Sequence, residues 1–519
     1  MRRQVGQLRL AELVAALSLG IDLGFGQPME HVLRQCLIAL RIANKLGLDD
    51  DTRADVYYTA LLISVGCHAD AHEQAKWFGD DIAVKAIKFD HGLGMGGTLA
   101  AMRYVGAGSP VLHRFRIGLE LMISGHRELE GMVEGHARIA RMLADQLGLP
   151  KRVGESLVSA YEQWSGRGWP GVLSREEIPI AARIAQISEF VEVAHRVGGS
   201  TAAIATARKY SGSQFDPALA TLVRGSAGEL FDGLDGVRTW DAVIDAEPAL
   251  AVVLSEDQFD AALLAIATFV DLKSPHTLGH SRAVAELAAA TGVVLDLPAA
   301  DVHTLRRAGL VHGFGRLGVS NSIWDKPGPL GAGEWERVRM QPYITERMLH
   351  QSAVLAPVAA IAVQHRERLD GSGYPRAIAG SAISLPARIL GAADAYQAMR
   401  EPRPHRPARS AEDAAATLRL EARSGRMDGS VVEAILGVAG HRVRRKPESV
   451  AGLTAREIEV LRLLVRGLST KQIAVALAIT PKTAANHIEH IYAKIDATNR
   501  ATASLFAMQH GLFPEDVFA

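Results

Sequence analysis

Four side chains that could bind a metal ion are spread between residues 280 and 394 of this sequence. Histidine and aspartate supply lone pairs to divalent cations when the imidazole is neutral and the carboxylate is ionised. An isolated histidine is more often an ordinary core or surface residue, so only a shared site would give this set chemical meaning. The candidate ligands are His280, His312, His365 and Asp394.

A glycine-rich loop follows the third candidate ligand, in the segment QHRERLDGSGYPRAIAG. Glycine loses more conformational freedom on folding than other residues, so ordering a loop that contains Gly371 and Gly373 costs free energy. Tyr374 and Pro375 close the loop. A costly loop beside a candidate ligand suggests a binding site.

Composition limits the class of protein. The chain has 519 residues, enough for about three domains, and its formal net charge is zero, so any attraction to DNA must be local. Cys36 and Cys67 are too few for a disulfide framework and fit a reducing compartment. The apolar N-terminal run is broken by Glu12 and Asp22 and is too short to span a membrane. We therefore expect a cytoplasmic protein without a membrane partner.

Helical spacing of apolar residues dominates the sequence. In SRAVAELAAATG, for example, Val284, Leu287 and Ala288 fall on one face of a helix. Alternating patterns typical of strands are scarce. The sequence therefore predicts an all-α fold.

An internal repeat divides the chain. The segment that begins at Glu162 aligns without a gap on the segment that begins at Glu367, and His31 aligns with His280 in a different register. The change of register indicates an insertion in the first copy, and the glycine-rich stretch near Gly92 is a candidate for part of it. The predicted organisation is a first copy over residues 1–243, a second copy over 255–406, a helix and basic linker over 407–450, and a C-terminal unit over 451–519.

Four segments of the second copy occur in a fixed order and together resemble the HD-GYP family: VDLKSPHTLGHS, LVHGFGRLGV, HRERLDGSGYP and PARILGAADAYQAM. That family belongs to the metal-dependent HD phosphohydrolases and hydrolyses cyclic di-GMP. The resemblance implies that His280 is the first ligand histidine and His312 the histidine of the HD doublet. It also implies that His365 is the first of two consecutive ligand histidines and Asp394 the last carboxylate ligand.

The second copy departs from the family pattern at ligand positions. Gly313 stands where the bridging aspartate of the doublet belongs, and Gln341 and Arg366 replace ligand histidines. Without the bridging carboxylate, two cations would lie close together with little negative charge between them, and Arg366 adds a positive charge. We therefore expect no catalytic residues and no required cofactor, although a single Fe, Mn or Zn ion could still be held by the four candidate ligands.

The same substitutions favour phosphate binding. Arg316 replaces a family lysine, and Arg316 and Arg366 could each bind phosphate oxygens through paired N–H groups. The second copy could therefore sense a nucleotide or cyclic dinucleotide without cleaving it. A pure scaffold or dimerisation domain is the alternative interpretation.

The first copy has lost more of the pattern. His31 remains, but Ile63 and Ser64 occupy the positions of the HD doublet, Tyr161 aligns with Arg366, and Glu189 is the counterpart of Asp394. We expect no hydrolase chemistry in the first copy.

The C-terminal unit has the pattern of a helix-turn-helix. Thr454 and Glu457 have the spacing of a capping box, Ser469 can cap a second helix, and a short turn leads to a third helix near Pro481. In such a motif one helix can enter the major groove of DNA. The whole stretch resembles the LuxR-type DNA-binding domain, which implies that the third helix carries the DNA contacts: Lys482, Thr483, Ala485, Asn486, His487, Glu489 and Lys494.

The segment REPRPHRPARS follows the second copy, and its Pro and Arg content predicts an exposed linker. A second basic segment precedes the C-terminal unit and could either contact DNA phosphates or form a solvated linker. It contains Arg442, Arg444, Arg445 and Lys446.

Together these patterns predict a transcriptional regulator that binds double-stranded DNA as a homodimer. The HD-GYP-like copies would act as a sensor or as a dimerisation platform. The alternative is an enzyme: a metal-dependent cyclic dinucleotide phosphodiesterase coupled to a DNA-binding domain.

Overall fold

The protein is described here from a computed structural model. The structure describes residues 8–91, 100–107, 110–248, 252–441, 450–465, 467–497, 499–510 and 512. The glycine-rich stretch from Gly92 and the basic segment from Arg442 to Lys446, both singled out in the sequence, lie outside the described residues.

The chain divides into two compact units, Met1–His441 and Arg442–Ala519. Both are built from helices, and the described residues form isolated β-bridges but no extended strand. The expected all-α class is therefore confirmed. In the described part of the chain, we find no helix with both the length and the apolar character needed to cross a membrane.

The first copy supplies the N-terminal half of the larger unit. Its helices include a long one, Val111–Gln146, and one with a break at Gly198 and Gly199, Ile180–Tyr210. The others are Leu10–Gly24, His31–Lys45, Asp50–Leu62, Ala71–Phe78, Asp81–His91, Lys151–Val158, Pro217–Phe231 and Thr239–Asp245.

The second copy repeats the same succession of helices without the insertion. Its elements are Glu256–Asp271, His280–Val294, Ala299–Val311, Asn321–Trp324, Ala332–Arg339, Gln341–Leu349, Ala356–Ala362 and Leu385–Arg400. Two further helices, Ala411–Arg423 and Gly429–Val438, pack against it. The sequence had suggested a single helix and a linker in this region. The structure shows instead that the chain stays on the larger unit as far as His441.

Side chains at the helix starts explain where several helices begin. Ser255 and Gln258 form a reciprocal capping box, and Asp428 accepts hydrogen bonds from two backbone N–H groups at the start of Gly429–Val438. These contacts satisfy N–H groups that have no partner inside a helix. Local sequence signals therefore set the starts of these two helices.

The two copies are alike in atomic detail as well as in sequence. Asp22 accepts a hydrogen bond from the N–H of Val32 at 3.0 Å, and Asp271 accepts one from the N–H of Ser281 at 2.9 Å. In each copy this bond fixes the start of the helix that carries the first histidine of the pattern, His31 or His280.

One continuous hydrophobic core runs through both copies. The first helix, Leu10–Gly24, packs against the second copy, where a Cβ on Gly20 would lie 2.6 Å from the Cε of Met348. The two copies are therefore parts of a single packed body, which positions the second copy's site against residues of the first.

The C-terminal unit contains Ala455–Val465, Thr470–Ala476, Pro481–Lys494 and Arg500–Gln509 around a small core of its own. Glu457 accepts a hydrogen bond from the N–H of Thr454, and Thr454 Oγ1 accepts one from the N–H of Glu457. Lys494 reaches the same carboxylate at 2.7 Å. Burial alone would raise the pKa of Glu457, but Lys494 and Thr454 outweigh it and lower that pKa to about 2.

We predict that replacing Glu457 by Gln weakens this unit mainly above pH 4.5. Gln can keep the capping contact, but it cannot pair with Lys494. Because the folded-state pKa of Glu457 is depressed, its stabilisation is present above its unfolded value and is lost as pH falls towards 2. Hydrogen exchange of residues 455–465 in the full chain should show faster opening in the variant at pH 7 and little difference near pH 2.

The matched control is Glu459→Gln, since Glu459 pairs with Arg456 at the surface. Such exposed pairs are worth about 0–1 kcal/mol, so protection should change little. Equal effects of the two substitutions at pH 7 would contradict the proposed role of the Glu457–Lys494 pair.

Candidate metal and phosphate site

Three of the four candidate ligands of the second copy converge in the structure. His280 Nε2 lies 3.2 Å from Asp394 Oδ1, and His312 Nε2 lies 3.7 Å from the same oxygen. All three residues are buried, and they form a group whose ligand atoms could hold one metal ion. The ring of His365 lies beside that of His312, with centroids 5.1 Å apart.

Backbone carbonyls fix the orientation of two of these histidines. His312 Nδ1 donates to the carbonyl of Gly309 at 2.6 Å, and His365 Nδ1 donates to that of Ala362 at 2.7 Å. Each Nε2 therefore carries a lone pair that is available to a ligand. Within the described structure both Nε2 atoms are buried without a hydrogen-bond partner. This is the arrangement that metal-binding histidines use.

Charge is distributed unevenly over the cluster. Burial lowers the pKa of His312, and burial together with the charge of Arg366 holds that of His365 well below its ordinary value. Burial would also lower the pKa of His280, but Asp394 and Glu401 outweigh it and raise that pKa. Although burial favours the neutral acid, Arg366 and the histidines keep the pKa of Asp394 well below its ordinary value. The site thus holds an ionised carboxylate and two neutral imidazoles.

A guanidinium group stands beside the last carboxylate ligand. Arg366 Nη1 lies 3.1 Å from Asp394 Oδ2, and its side chain is 22% exposed. This is where the family pattern has a ligand histidine. A second metal ion would need the carboxylate of Asp394 as a ligand. Arg366 pairs with that carboxylate instead, through a fixed positive charge.

The other two substituted positions also lack a donor aimed at the cluster. A Cβ built on Gly313 would lie 3.5 Å from Ser281 Oγ, so there is room for a side chain but none is present. Gln341 turns its Nε2 to the carbonyl of His312 at 2.5 Å. The residues that remain fit one metal ion and do not fit two.

The glycine-rich loop is closed around a buried carboxylate. Glu367 accepts hydrogen bonds from the backbone N–H groups of Arg376 and Ile378, at 2.8 and 3.1 Å. A Cβ on Gly373 would lie only 2.4 Å from the N of Arg368, so glycine is required for this close approach. The loop thereby places Tyr374 next to Arg366, at the edge of a cavity.

That cavity has a volume of about 390 Å³ and opens beside the histidine cluster. Arg316 lines it, with its Cζ 5.1 Å from the centre of the Trp324 ring. No hydrogen bond or ion pair from the guanidinium group of Arg316 to another described residue is found. Burial, with the positive charges of Arg403 and Arg366, lowers the pKa of Arg316 to about 10. The cationic and aromatic side chains of its lining include Arg316, Arg366, Arg403, Arg406, Trp324, Trp335 and Tyr374.

Two important residues were missed from the sequence. Glu401 Oε2 lies 2.9 Å from His280 Nδ1 and 2.8 Å from Arg403 Nη2, and Arg403 also donates to the carbonyl of His276 at 2.8 Å. The segment REPRPHRPARS was expected to be an exposed linker because of its Pro and Arg content. That expectation is wrong for its first half, since Arg403 and Arg406 line the cavity.

In the first copy, a lysine lies beside Glu189, the counterpart of Asp394. Lys88 Nζ lies 2.6 Å from Glu189 Oε1 and 3.4 Å from Ser64 Oγ. His31 Nδ1 bonds Glu192 instead of facing an open ligand position. Lys88 belongs to the inserted helix Asp81–His91, so the insertion closes this site with its own cation.

The helix Pro481–Lys494 carries the seven side chains expected to contact DNA. Lys482, Asn486 and Glu489 are exposed and, at helical spacing, share one face with half-buried Ala485. Thr483 is exposed beside Thr480, His487 is half-buried, and Lys494 is held by Glu457.

Comparison with known proteins agrees with this architecture. Residues 126–219 and 265–431 match the HD domain family, and residues 451–507 match the bacterial regulatory proteins of the luxR family. The chain belongs to the HD domain family. The HD match covers the whole helix Ala411–Arg423, which is consistent with its packing on the second copy. A LuxR-type DNA-binding domain follows the HD-GYP-like domains.

Several relatives are named as phosphodiesterases. The chain is 30% identical over 414 residues to the 3'3'-cGAMP-specific phosphodiesterase 3 of Vibrio cholerae, covering 79% of this chain and 90% of that protein. It is 35% identical over 191 residues to a cyclic di-GMP phosphodiesterase of Pseudomonas aeruginosa, covering 36% of this chain and 46% of that protein.

A crystal structure of a cyclic GMP-AMP specific phosphodiesterase of V. cholerae superimposes with a TM-score of 0.59. It is 26% identical to this chain, and the match covers 84% of this chain and 98% of that one. The fold of the larger unit is thus that of the solved phosphodiesterase.

We predict that the purified protein binds at most one Mn²⁺ per chain and that three substitutions raise this number towards two. Gly313→Asp, Gln341→His and Arg366→His together would restore the bridging carboxylate and two imidazoles and would remove the competing guanidinium. Metal per chain after dialysis, measured by mass spectrometry, tests the prediction.

The control is Gly333→Asp, at a glycine whose Cβ would meet open space. It should leave the metal content unchanged. Two tightly bound ions in the unaltered protein would contradict the inference that the substituted positions limit metal binding.

Proposed function

We propose that this protein is a cytoplasmic, DNA-binding transcriptional regulator. Its HD-GYP-like second copy would bind a cyclic dinucleotide as a signal, without hydrolysing it efficiently. The ion pair between Arg366 and Asp394 carries this proposal, because it occupies the carboxylate needed for two-metal hydrolysis and leaves an arginine at the cavity.

Loss of hydrolysis follows from the chemistry of the remaining groups. A two-metal phosphodiesterase holds two ions a few ångströms apart, so that one activates water and both stabilise the phosphate oxygens. Here Gly313 provides no bridging carboxylate, and Gln341 is committed to a backbone carbonyl. The positive charge of Arg366 further disfavours a cation at the adjoining position.

Ligand binding is supported by the groups that surround the cavity. Guanidinium groups bind phosphate oxygens through paired N–H donors, and indole rings offer flat faces on which bases can stack. Arg316 and Arg366 provide the first feature, while Trp324 and Trp335 provide the second. The curated relatives act on cyclic dinucleotides, which makes this ligand class the best candidate.

DNA binding is supported by the LuxR-type domain and by the exposed face of its third helix. Lys482 and Thr483 lie at the first turn of Pro481–Lys494, where side chains can contact phosphates, and Asn486 lies one turn later, where it can reach base edges. Glu489 on the same face would accept hydrogen bonds only from bases that donate, such as cytosine.

A second candidate function is a single-metal cyclic dinucleotide phosphodiesterase. It is favoured by the free Nε2 lone pairs of His312 and His365 beside Asp394 and His280. A metal ion on these residues would supply a Lewis acid for a phosphate oxygen or a bound water. Arg366 and Arg316 would then orient the phosphate.

The DNA-binding prediction concerns sequence selection by the full-length protein. It should enrich a defined sequence from a random duplex pool. Lys482→Ala should weaken binding to all duplexes about equally, whereas Asn486→Ala should change the preferred base, because phosphate contacts position a protein and base contacts specify the sequence.

A matched control is Lys471→Ala, an exposed lysine on the preceding helix that is not among the expected DNA contacts. Of the three substitutions, Lys471→Ala should change the affinity for DNA and the selected sequence least. If the full-length protein enriches no sequence at all, the regulator proposal fails.

The ligand prediction concerns thermal stability. Cyclic GMP-AMP or cyclic di-GMP should raise the Tm of the protein, since a ligand that binds only the folded state stabilises it by mass action. Arg366→Ala should abolish the shift, and Arg366→Lys should restore part of it, because lysine keeps the charge but not the paired donors.

Arg376→Ala is the control, since Arg376 pairs with Glu346 away from the cavity lining. It should keep the full shift. Product formation from the same ligands in the presence of Mn²⁺ separates the two candidate functions: turnover supports the phosphodiesterase, and a Tm shift without turnover supports the sensor.

A further inference from the structure

A group of ionisable side chains surrounds the thiol of Cys67 in the first copy. Cys67 Sγ contacts the hydroxyl of Tyr161, and His136 Nε2 forms an ion pair with Asp70 Oδ2. The centres of the His136 and Tyr161 rings are 6.2 Å apart. A thiol, an imidazole and a carboxylate are thus grouped as in sites where a base, itself oriented by a third group, activates a nucleophile. Cys67, Asp70, His136 and Tyr161 are called the thiol cluster below.

The thiol cluster lies where the second copy has its substituted positions. A Cβ on Gly66 would lie 2.3 Å from the backbone oxygen of His136. A Cβ on Gly315 would likewise lie 1.9 Å from the backbone oxygen of Gln341. Because the same close approach is repeated, His136 is the counterpart of Gln341. By the repeat alignment, the other counterparts are Cys67 for Arg316 and Tyr161 for Arg366.

Positive charge acts on the Cys67 thiol from two sides. Burial would raise the pKa of Cys67, but His136 and Lys88 outweigh it and lower that pKa. Lys88 is held nearby by Glu189, at 2.6 Å. Burial would lower the pKa of His136, yet Cys67 and Asp70 raise it to about 10. An imidazolium therefore accompanies Cys67 at neutral pH and favours the thiolate, which is the nucleophilic form of cysteine.

Tyr161 completes the environment of the sulfur. Burial, with the negative charges of Cys67 and Glu189, raises the pKa of Tyr161 well above its ordinary value. The phenol therefore keeps its proton and can donate it to Cys67 Sγ in a hydrogen bond. Such a bond stabilises an anion on the sulfur.

Cys36 provides a comparison within the same chain. Both cysteines are buried, but Cys36 Sγ donates to the backbone carbonyl of Tyr57 at 3.7 Å. Burial raises the pKa of the Cys36 thiol. The two thiols thus share burial and differ in the charges that act on them.

We propose that Cys67 is a peroxide-sensitive thiolate, which hydroperoxides oxidise to a sulfenic acid. The sulfur anion attacks one oxygen of the hydroperoxide, so that an S–O bond forms as the O–O bond breaks. Two electrons pass from sulfur to the peroxide. The departing oxygen takes the proton of the His136 imidazolium and, from hydrogen peroxide, leaves as water. Asp70 acts through His136 and is a positioning residue.

The edge of the cluster gives a small oxidant its approach. The Asp70 side chain is 16% exposed and that of His136 is 8% exposed. Hydrogen peroxide is little larger than water, so it needs a much smaller opening than a bulky thiol reagent does. Low pKa and access are the properties that make a cysteine susceptible to oxidation.

Oxidation of Cys67 has a structural connection to the cavity of the second copy. Asp70 immediately precedes the helix Ala71–Phe78. His72 of that helix lies 2.8 Å from Asp325, which lines the cavity. An oxygen added to closely packed groups displaces its neighbours. An effect on ligand binding would rest on the proposed function, whereas the oxidation itself is independent of it.

Peroxide labelling of the full-length, chelator-treated and reduced protein tests the proposal. Hydrogen peroxide is added at pH 7 with a cyclic 1,3-diketone that traps sulfenic acids, and mass spectrometry gives the labelling rate of each cysteine. Cys67 should be labelled at least about 100-fold faster than Cys36, because the thiolate is the reacting form. Equal rates, or no labelling of Cys67 in the folded chain, would overturn the proposal.

The pH profile of labelling tests the parts of His136 and Asp70. In the unaltered chain the midpoint should lie below about 8.5, the ordinary pKa of a free thiol. His136→Gln should slow labelling of Cys67 at pH 7 by at least about tenfold, because the neighbouring cation is lost. Asp70→Asn should move the midpoint upwards, because the carboxylate that keeps His136 charged is lost. Unchanged midpoints in both variants would contradict these roles.

The matched control is Glu73→Gln, which neutralises a carboxylate in the first turn of Ala71–Phe78 outside the thiol cluster. Its midpoint should equal that of the unaltered chain. Cys36 reports unfolding in every sample, since it becomes accessible only when the core opens. A variant that labels Cys36 is therefore recognised as unfolded, and Asp70→Asn and His136→Gln test the same pair separately.

Discussion

The buried carboxylate of Asp394 organises the second copy. Its oxygens face His280, His312 and Arg366, and an ionised carboxylate cannot remain in such an environment without compensating positive charge. In the relatives that the family pattern describes, metal ions can provide that charge. Here Arg366 does so, and the losses at Gly313 and Gln341 are consistent with it, because a site compensated by a side chain no longer needs a complete set of ligands.

In the first copy, a side-chain cation also compensates the last carboxylate of the pattern, but it comes from a different part of the chain. Lys88 from the inserted helix pairs with Glu189, the counterpart of Asp394. The compensating residues come from different places: Arg366 precedes the glycine-rich loop, whereas Lys88 lies in an insertion that the second copy lacks. In both copies a side-chain cation accompanies the last carboxylate. The difference is accessibility, since Arg366 lines an open cavity while Lys88 lies over the rings of Phe25 and Phe89.

Much of this architecture could be predicted from the sequence because it depends on local patterns. Apolar spacing indicated the helices, the capping pattern at Thr454 and Glu457 marked the start of the C-terminal unit, and motif order indicated that His280, His312 and Asp394 would converge. The pairing of Lys88 with Glu189 could not be predicted, since it depends on how an insertion folds back over the core. Nor could the place of Arg403, because a segment rich in Pro and Arg has the same composition in a solvated linker as in a cavity wall.

The cavity wall is held by both copies, which gives the insertion a structural consequence beyond closing its own site. Asp81 of the inserted helix is fully buried and accepts hydrogen bonds from the hydroxyl of Ser320 at 2.7 Å and the N–H of Asn321 at 2.8 Å. Asn321 lines the cavity, and so does Asp325, which lies 2.8 Å from His72 of the first copy. Asp81 also forms a buried ion pair with Lys273 of the second copy, whose Nζ lies 3.4 Å from Asp81 Oδ2. Burial would raise the pKa of Asp81, yet Lys273 and Lys85 lower it below its ordinary value. Breaking this buried ion pair would be costly. A ligand that moved this wall would therefore have to move the inserted helices with it, because a packed core with buried ion pairs shifts as a body and does not deform gradually.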